Sequence, residues 1–307
     1  MNSKIILKLI DVDIHFKIGK RTIKACNNIN LDVYRGETLG IVGESGSGKS
    51  SIIKAILGIN KVTKGSIIYN DIDISKNLTK KEKSMVKKSI QMIFQDPAAS
   101  LNERANIEYI ISEGLYNFKL FKDNEDRINK VKSMIENVGL LPEHMNRYPH
   151  EFSGGQRQRI GIARALIVNP DLVLADEPIS ALDVSVRSQV LNLLKKLQNA
   201  RDLTYIFIAH DLSIIKYISD RIAVMHNGYI VELGNRNHIY DNPIHPYTKS
   251  LLSAIPIPDP IIEKKRKRTV YEGNIDYSLC EWIEIEENHY VLANKEMLGK
   301  WNNDKNN

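Results

Sequence analysis

The sequence has little of what would build a covalent or metal-based framework. Its 307 residues include two cysteines, Cys26 and Cys280, far apart along the chain. That argues against a disulfide scaffold and a cysteine-rich metal site, and makes a reducing compartment the default expectation. Long apolar runs are also missing. No stretch approaches the roughly 18 consecutive apolar residues that a membrane-spanning helix needs. The opening residues, Met1 to Lys8, have no extended apolar core and no small-residue cleavage site, so a signal peptide is not expected. What remains is ordinary for a globular chain: 42% hydrophobic and 26% charged residues. The length suits one large domain or two smaller ones. The net charge of +6 is compatible with nucleic acid or an anionic membrane face, but a lysine-rich surface explains it more simply.

Against this background one stretch stands out, Gly43-Glu44-Ser45-Gly46-Ser47-Gly48-Lys49-Ser50. It has the spacing G-x-x-x-x-G-K-[ST], in which glycines let backbone N–H groups close around phosphate oxygens. Lys49 is expected to pair with the β- and γ-phosphates of a nucleotide, and the Ser50 hydroxyl to take one position on Mg²⁺. The flanks suit this reading. Thr38 to Val42 reads as a buried strand, and Ser51 to Leu57 as a helix stopped by Gly58. A helix N-terminus adds partial positive charge where phosphate would sit.

Upstream, Ile5 to Leu7, Ile14 to Phe16 and Ile29 to Val33 read as short antiparallel strands. Phe16 could stack on a nucleotide base or be a half-buried strand residue. Downstream, Gly65 to Ile74 reads as a hairpin turning at Asn70-Asp71. Residues 79–89 read as an exposed lysine-rich helix, and Ile90 to Phe94 as a buried strand ending at Gln95-Asp96-Pro97. Residues 98–150 carry helical patterns and few strand signals, which suggests a helical insertion. Ser153-Gly154-Gly155-Gln156 has capping-box spacing, and its two glycines bare a helix N-terminus. Leu172 to Ala175 reads as a buried strand delivering Asp176 and Glu177 at its carboxyl end, where ligands of parallel sheets bind. Such a pair can hold Mg²⁺ through Asp176 and polarise a water through Glu177. Asp183 is expected to cap a helix striped by Val186, Val190, Leu193, Leu194 and Leu197. Tyr205 to Ala209 reads as a strand ending at His210, a residue that could contact a γ-phosphate or its attacking water, or be structural. His226-Asn227-Gly228 turns a further hairpin. The proline-rich residues 243–260 show few regular patterns, and Glu263 to Arg268 is a charge run suited to a solvated linker. The last forty residues read as a short appendage with two β-like runs, Trp282 to Ile285 and His289 to Leu292, and a frayed end.

The order of phosphate loop, Gln95, Ser153-Gly154-Gly155-Gln156, Asp176-Glu177 and His210 resembles the ATP-binding subunit of an ABC transporter, over residues 4 to about 256. Narrower stretches, Phe94 to Asn102, His150 to Ser153 and His245 to Leu252, are similar to oligopeptide and dipeptide permease ATPases, and the run Trp282 to Val291 to their F-type subunit. The resemblance implies an α/β fold: an ABC-type phosphate-loop core with an antiparallel β subdomain, an inserted α-helical subdomain and a short C-terminal extension. It implies an ABC domain over 1–256, a helical subdomain over about 98–165, and an extension over 257–307.

It further implies that Gly43 to Ser51, Gln95, Asp176, Glu177 and His210 bind ATP and Mg²⁺ on one subunit, with Gln95, Glu177 and His210 in catalytic roles and Ser50, Gln95 and Asp176 toward the metal. Ser153, Gly154, Gly155 and Gln156 would cap ATP held by a second ATPase subunit, and Asp183 would communicate across that interface. The other implied partners are two membrane-spanning permease subunits at the cytoplasmic membrane face and, indirectly, an extracellular substrate-binding protein. Glu103 replaces the proline usual after Asn102, and Cys280 stands without the cysteine cluster of some relatives, so no iron–sulfur centre is expected. Cargo stays open between peptides and nickel or metal chelates. A DNA-repair type ATPase is disfavoured, because no long heptad region separates the two halves of the site and no zinc-type cysteine pairs occur. The purified protein is accordingly expected not to retain duplex DNA. Retention falling steeply with salt concentration would restore the nucleic-acid reading.

Overall fold

The structure, a computed structural model, describes residues 4–255, 269–271, 273 and 275–303. The charge run Glu263 to Arg268, the prolines from Pro256 to Pro260 and the last four residues lie outside the described residues. The chain forms two compact units. The first joins residues 5–33, 38–75 and 208–307; the second joins 34–37 and 76–207 with the N-terminal four residues.

The first unit opens with β1 (Ile5–Ile18) and β2 (Arg21–Tyr34), where short runs merge into two long strands. Next come β3 (Thr38–Val42), α1 (Lys49–Ile56), β4 (Lys64–Tyr69) and β5 (Ile72–Asp73). One sheet has the order β2-β1-β4-β5. β1 and β4 run antiparallel, with Leu7 opposite Tyr69 and Leu9 opposite Ile67. The turn between β4 and β5 has positive φ at both Asn70 and Asp71, the backbone that a two-residue hairpin with native twist requires. α1 ends as its sequence indicates: Gly58 takes φ +69° and the Ile59 N–H reaches back to the Lys54 carbonyl at 2.8 Å.

The second unit carries α2 (Lys80–Ser89), β6 (Ile90–Ile93), α3 (Pro97–Ser100), α4 (Ile107–Phe118), α5 (Asn124–Asn137), α6 (Gly154–Leu166), β7 (Leu172–Asp176), α7 (Val184–Arg201) and β8 (Thr204–Ile208). Its strands follow the order β8-β7-β6, with β6 and β7 parallel and Ile90 opposite Leu172. β7 is buried along its whole length, as expected of a parallel strand covered on both faces. Arg127 of α5 pairs with Glu108 of α4 and lies over the Tyr116 ring at 5.2 Å, joining the two helices.

The chain then returns to the first unit through α8 (Leu212–Ile218), β9 (Arg221–His226), β10 (Tyr229–Asn235), α9 (Arg236–Asp241) and α10 (Pro246–Ser253). β11 (Glu281–Glu286), β12 (His289–Ala293) and α11 (Lys295–Asn303) complete it. The strand order here is β11-β12-β10-β9-β3. β3 runs parallel to β9, with Ile41 opposite Ala223. Asp220 fixes this register, its carboxylate accepting the Thr38 N–H at 2.8 Å while its own N–H donates to the Thr38 carbonyl at 2.9 Å.

One expectation needs correction, and another, the β-like runs of the C-terminal appendage, is borne out and gains its pairing. The proline-rich stretch contains a helix, α10, because Pro246 occupies the first helical position, where its missing N–H is not needed, and the His245 side chain caps the turn. The C-terminal appendage is a sheet extension: β12 pairs antiparallel with β10, placing Val291 opposite Glu232. Behind it Ile244, Val291, Ala293 and Trp301 form a buried cluster. Asp183 does precede α7, but its side chain makes no hydrogen bond to the helix.

Glu232 locks the added hairpin. It is fully buried and accepts hydrogen bonds from the Ile244 N–H (2.8 Å), the His245 N–H (3.0 Å) and His289 Nε2 (2.8 Å). Replacing His289 with alanine removes one of those donors and opens a cavity. His289→Ala should therefore lower unfolding free energy by about 2–4 kcal/mol, against little change for Glu286→Ala at the exposed turn, measured by denaturant titration.

Candidate functional site

In the first unit, the loop from Gly43 to Ser50 joins β3 to α1, as its sequence indicates. Two glycines are sterically required. Gly43 has φ +150°, and a Cβ there would lie 2.1 Å from the Met225 carbonyl oxygen. Gly48 has φ +108°, and a Cβ would lie 2.4 Å from the Ala25 carbonyl oxygen. The loop is therefore pressed between the end of β9 and the middle of β2.

Lys49 is buried at 6% exposure. Its ammonium donates to the Gly43 carbonyl at 2.8 Å and the Glu44 carbonyl at 2.7 Å, and lies 3.5 Å from Ser47 Oγ. Ser50 and Ser51 are half-buried at the start of α1. Glu44, Ser45 and Gly46 are exposed, so the crest of the loop is open.

Three contacts outside the motif hold the loop. Tyr247 Oη accepts the Glu44 N–H at 3.0 Å, the Gly228 N–H donates to the Ser47 carbonyl at 3.1 Å, and Cys26 Sγ lies 3.5 Å from the Gly48 carbonyl. Burial pushes the Cys26 thiol up to about 12, so it is a packing group and not a nucleophile. Phe16 is half-buried on β1, and His210 is exposed just before Asp211, which caps α8.

The second unit brings together the acid pair and Gln95. β7 ends at Asp176, 8% exposed, and the chain turns sharply at Glu177, whose φ of +48° is uncommon for a residue with a side chain. The Glu177 carbonyl accepts the Ser180 N–H (3.2 Å) and hydroxyl (3.0 Å), which closes the turn through Pro178. Gln95 Nε2 donates to Glu177 Oε2 at 3.0 Å. A carboxylate can only accept here, so the amide nitrogen must face it and the Gln95 carbonyl oxygen is left for another partner. The Gln95 carbonyl and the Asp176 carboxylate are both hard oxygen donors, the type that suits Mg²⁺.

The Ser153-Gly154-Gly155-Gln156 segment opens α6 with the expected reciprocal capping box. Gln156 N–H donates to Ser153 Oγ at 3.3 Å, and Ser153 N–H to Gln156 Oε1 at 3.0 Å. Ser153 and Gly154 are exposed, while Gly155 faces Val186, whose Cγ1 lies 2.4 Å from where a Cβ would stand. The exposed Ser153 and Gly154 leave this helix N-terminus open to the surface. Asp183 is exposed. Arg187 braces the turn before it by donating to the Leu182 carbonyl at 2.6 Å and the Ser180 carbonyl at 3.1 Å.

Several supporting residues escape sequence reasoning. Gln158 is 1% exposed and reaches the Phe94 carbonyl at 3.4 Å, tying α6 to the strand end beside Gln95. Tyr247 lies in a noted motif, but nothing in its sequence context indicates that its hydroxyl meets the phosphate loop. Gly228 reads only as a hairpin turn. A third group, His238, Glu286 and His289, gathers possible metal-ligating atoms within 4.8 Å of one another. The two imidazoles stack at 5.0 Å and 18°, so their in-plane lone pairs do not converge on one point.

Residues 26–180 match the family described as ABC transporter, and residues 231–276 match the family described as oligopeptide/dipeptide transporter, C-terminal region. The chain is 56% identical over 302 residues to the oligopeptide transport ATP-binding protein OppF of Streptococcus pyogenes serotype M1, covering 97% of this chain and 98% of that protein. It is 51% identical to OppF of Bacillus subtilis (strain 168), covering 91% and 93%, and 51% identical to the dipeptide transport ATP-binding protein DppF of Lactococcus lactis subsp. cremoris (strain MG1363), covering 94% of each. Among solved structures, the ATP-binding cassette MJ0796 in a dimeric post-hydrolysis state with ADP and Pi aligns with TM-score 0.68 and 29% identity, over 75% of this chain and 98% of that one. No helix among the described residues is long and apolar enough to cross a membrane.

His245 makes one property of the site region measurable. Burial lowers its imidazole from 6.5 to about 3, so it stays neutral in the folded protein near pH 5 while the unfolded chain binds a proton. Its contribution to stability is complete above about pH 6.5 and is lost as pH falls toward 3, at up to about 1.4 kcal/mol per pH unit. His245→Asn can still cap α10 but does not titrate. The melting temperature of that variant is expected to fall less between pH 7 and pH 4 than that of the unaltered protein.

Proposed function

The chain belongs to the ABC transporter ATP-binding family, and on that premise we propose that it is the ATP-hydrolysing subunit of an importer of oligopeptides. The observation that carries the cargo is likeness to peptide-transport ATPases along nearly the whole chain, including the C-terminal region at 231–276. An ABC domain over 1–256 works with an extension over 257–307. The subunit sits at the cytoplasmic face of the membrane with two membrane-spanning subunits and a second ATPase subunit. An extracellular binding protein delivers the peptide. The dimeric state of the MJ0796 cassette supports pairing of two such chains.

The roles follow from the chemistry of each group. Amides of the loop from Gly43 to Ser51 and the Lys49 ammonium hold the triphosphate, and Phe16 meets the base. Ser50, Gln95 and Asp176 would hold Mg²⁺, which would supply positive charge against the triphosphate. Glu177 takes the proton of the water that attacks the γ-phosphorus as the bond to ADP breaks. The Gln95 amide and the positive-φ turn hold its carboxylate in one orientation, so little reorganisation is left for the transition state. His210 stabilises the transferring phosphoryl group. Ser153 to Gln156 close over the nucleotide of the partner ATPase subunit, and Asp183 lines that interface. Each half-site lacks part of the stabilising charge, so hydrolysis waits for closure, and closure moves the membrane subunits.

Glu177→Gln keeps the hydrogen bond to Gln95 but removes the base. Turnover in the assembled transporter should fall by about 10²- to 10⁴-fold with ATP binding retained, as measured by phosphate release and nucleotide titration. Normal hydrolysis by that variant would remove Glu177 from its role. A deletion strain given peptides as its sole amino-acid source is expected not to grow, and to be restored by the unaltered gene but not by Glu177→Gln. Growth of the deletion strain would point to another cargo, such as a metal chelate.

A further inference from the structure

The C-terminal region that distinguishes this chain from a minimal cassette meets the phosphate loop through a continuous set of hydrogen bonds and ring contacts, all inside the first unit. The contact begins at one peptide plane. The carbonyl of Gly43 and the N–H of Glu44 belong to the same rigid amide. Lys49 donates to that carbonyl at 2.8 Å, and Tyr247 Oη accepts that N–H at 3.0 Å. The two contacts hold the plane from opposite sides, so rotation of the plane would cost Lys49 one of its resting partners.

Tyr247 is itself fixed. It is 1% exposed, and its ring packs on His226 with centroids 4.2 Å apart. His226 closes β9 immediately before Asn227-Gly228, and Gly228 holds the other side of the loop through the Ser47 carbonyl. His226 Nδ1 lies 2.8 Å from Tyr277 Oη, in the segment that leads into the β11–β12 hairpin.

The proton order along this path can be deduced. His245 Nδ1 accepts the Tyr247 N–H at 3.0 Å, so the proton of a neutral His245 is on Nε2, which faces Tyr277 Oη at 3.5 Å. The Tyr277 hydroxyl therefore accepts from His245 and has two neighbours for its own proton, His226 Nδ1 at 2.8 Å and Tyr271 Oη at 3.4 Å, of which His226 is the nearer. Burial lowers both imidazoles and raises Tyr247, Tyr271 and Tyr277, Tyr247 to about 12, which favours the neutral form of each. At the far end Glu232 fixes the His245 backbone N–H and takes His289 of β12, which anchors the path in the added hairpin.

We propose that Tyr247 and Tyr277 are positioning residues for nucleotide binding, through which the C-terminal hairpin sets the orientation of the Gly43–Glu44 peptide and hence of Lys49. Neither touches the nucleotide. The C-terminal region is on this account part of the ATP site's support, and displacement of the hairpin by a partner or by truncation weakens ATP binding without altering any residue of the loop. The inference rests on the reading of the loop as the ATP site.

The test uses the full chain and MgATP as the titrated ligand, with binding measured by calorimetry and folding by thermal melting without nucleotide. Tyr247→Phe removes one hydroxyl and leaves a loop N–H without its acceptor. It should weaken MgATP binding about 5- to 20-fold in protein that still melts cooperatively. Tyr277→Phe, remote from the loop, should weaken binding about 3- to 10-fold. Because both act through one peptide plane, the double variant should bind about as the Tyr247→Phe variant does, well short of the product of the single effects. Binding equal to the unaltered protein in either single variant, or full additivity in the double, overturns the proposal. If Tyr277→Phe does not fold, His226→Phe keeps the ring packing on Tyr247 while removing the acceptor, and is read by the same criteria. Lys49→Ala separates the two levels of the argument. Unchanged MgATP binding in that variant defeats the reading of the loop. Lost binding there, with the tyrosine variants unaffected, defeats only the positioning role.

Discussion

A cradle for phosphate made from backbone N–H groups must be held in shape before its ligand arrives, because amides pointing the same way repel one another and gain nothing until an anion is present. In this protein the loop from Gly43 to Ser50 meets that constraint in three ways. Left-handed backbone at Gly43 and Gly48 lets the chain pass within van der Waals distance of Met225 and Ala25. The Lys49 ammonium folds back onto the carbonyls of Gly43 and Glu44. Chain segments distant in sequence, at Gly228 and Tyr247, each add one hydrogen bond to the loop. On the proposed reading, binding energy for ATP would not be consumed in ordering the loop.

The same logic holds at the acid pair. A carboxylate that activates water gains from being aimed, and Glu177 is aimed twice: by a backbone conformation that few non-glycine residues adopt, and by the Gln95 amide. Such a conformation costs of order 1 kcal/mol or more and persists only where the surroundings enforce it. Here Pro178, the two hydrogen bonds from Ser180 and the grip of Arg187 on the turn do so. Gln95 also follows the strand that Gln158 of α6 ties down, so the residue holding the Glu177 carboxylate and the helix that opens at Ser153 share one support.

Much of this was legible because the relevant information is local. The phosphate loop, the capping box at Ser153, the two-residue turns at Asn70-Asp71 and Asn227-Gly228, and the buried strand delivering Asp176 each rest on backbone preferences of a few consecutive residues. Expectations failed where local signals competed. Proline argued against structure after residue 243, yet Pro246 at a helix's first position favours one. The β-like runs at Trp282 and His289 were visible, but their pairing with β10 depends on an edge that exists only once β9 and β10 have formed. Asp183 occupied the capping position without making the capping bond, since side-chain rotamers answer to their surroundings as well as to sequence.

By itself, the amino-acid sequence determined the chemistry available to this protein: which residues can meet phosphate, which can hold a divalent cation, which can take a proton, and in what order they occur. That follows because turn geometry, capping and strand burial are set by neighbours within a few positions. Only the tertiary structure decided what holds those groups in place. The hydroxyl of Tyr247 on the Glu44 amide, the Tyr277–His226 bond and the Glu232–His289 lock each join residues far apart in the chain, and no short-range pattern encodes a distance that exists only after the sheet has closed.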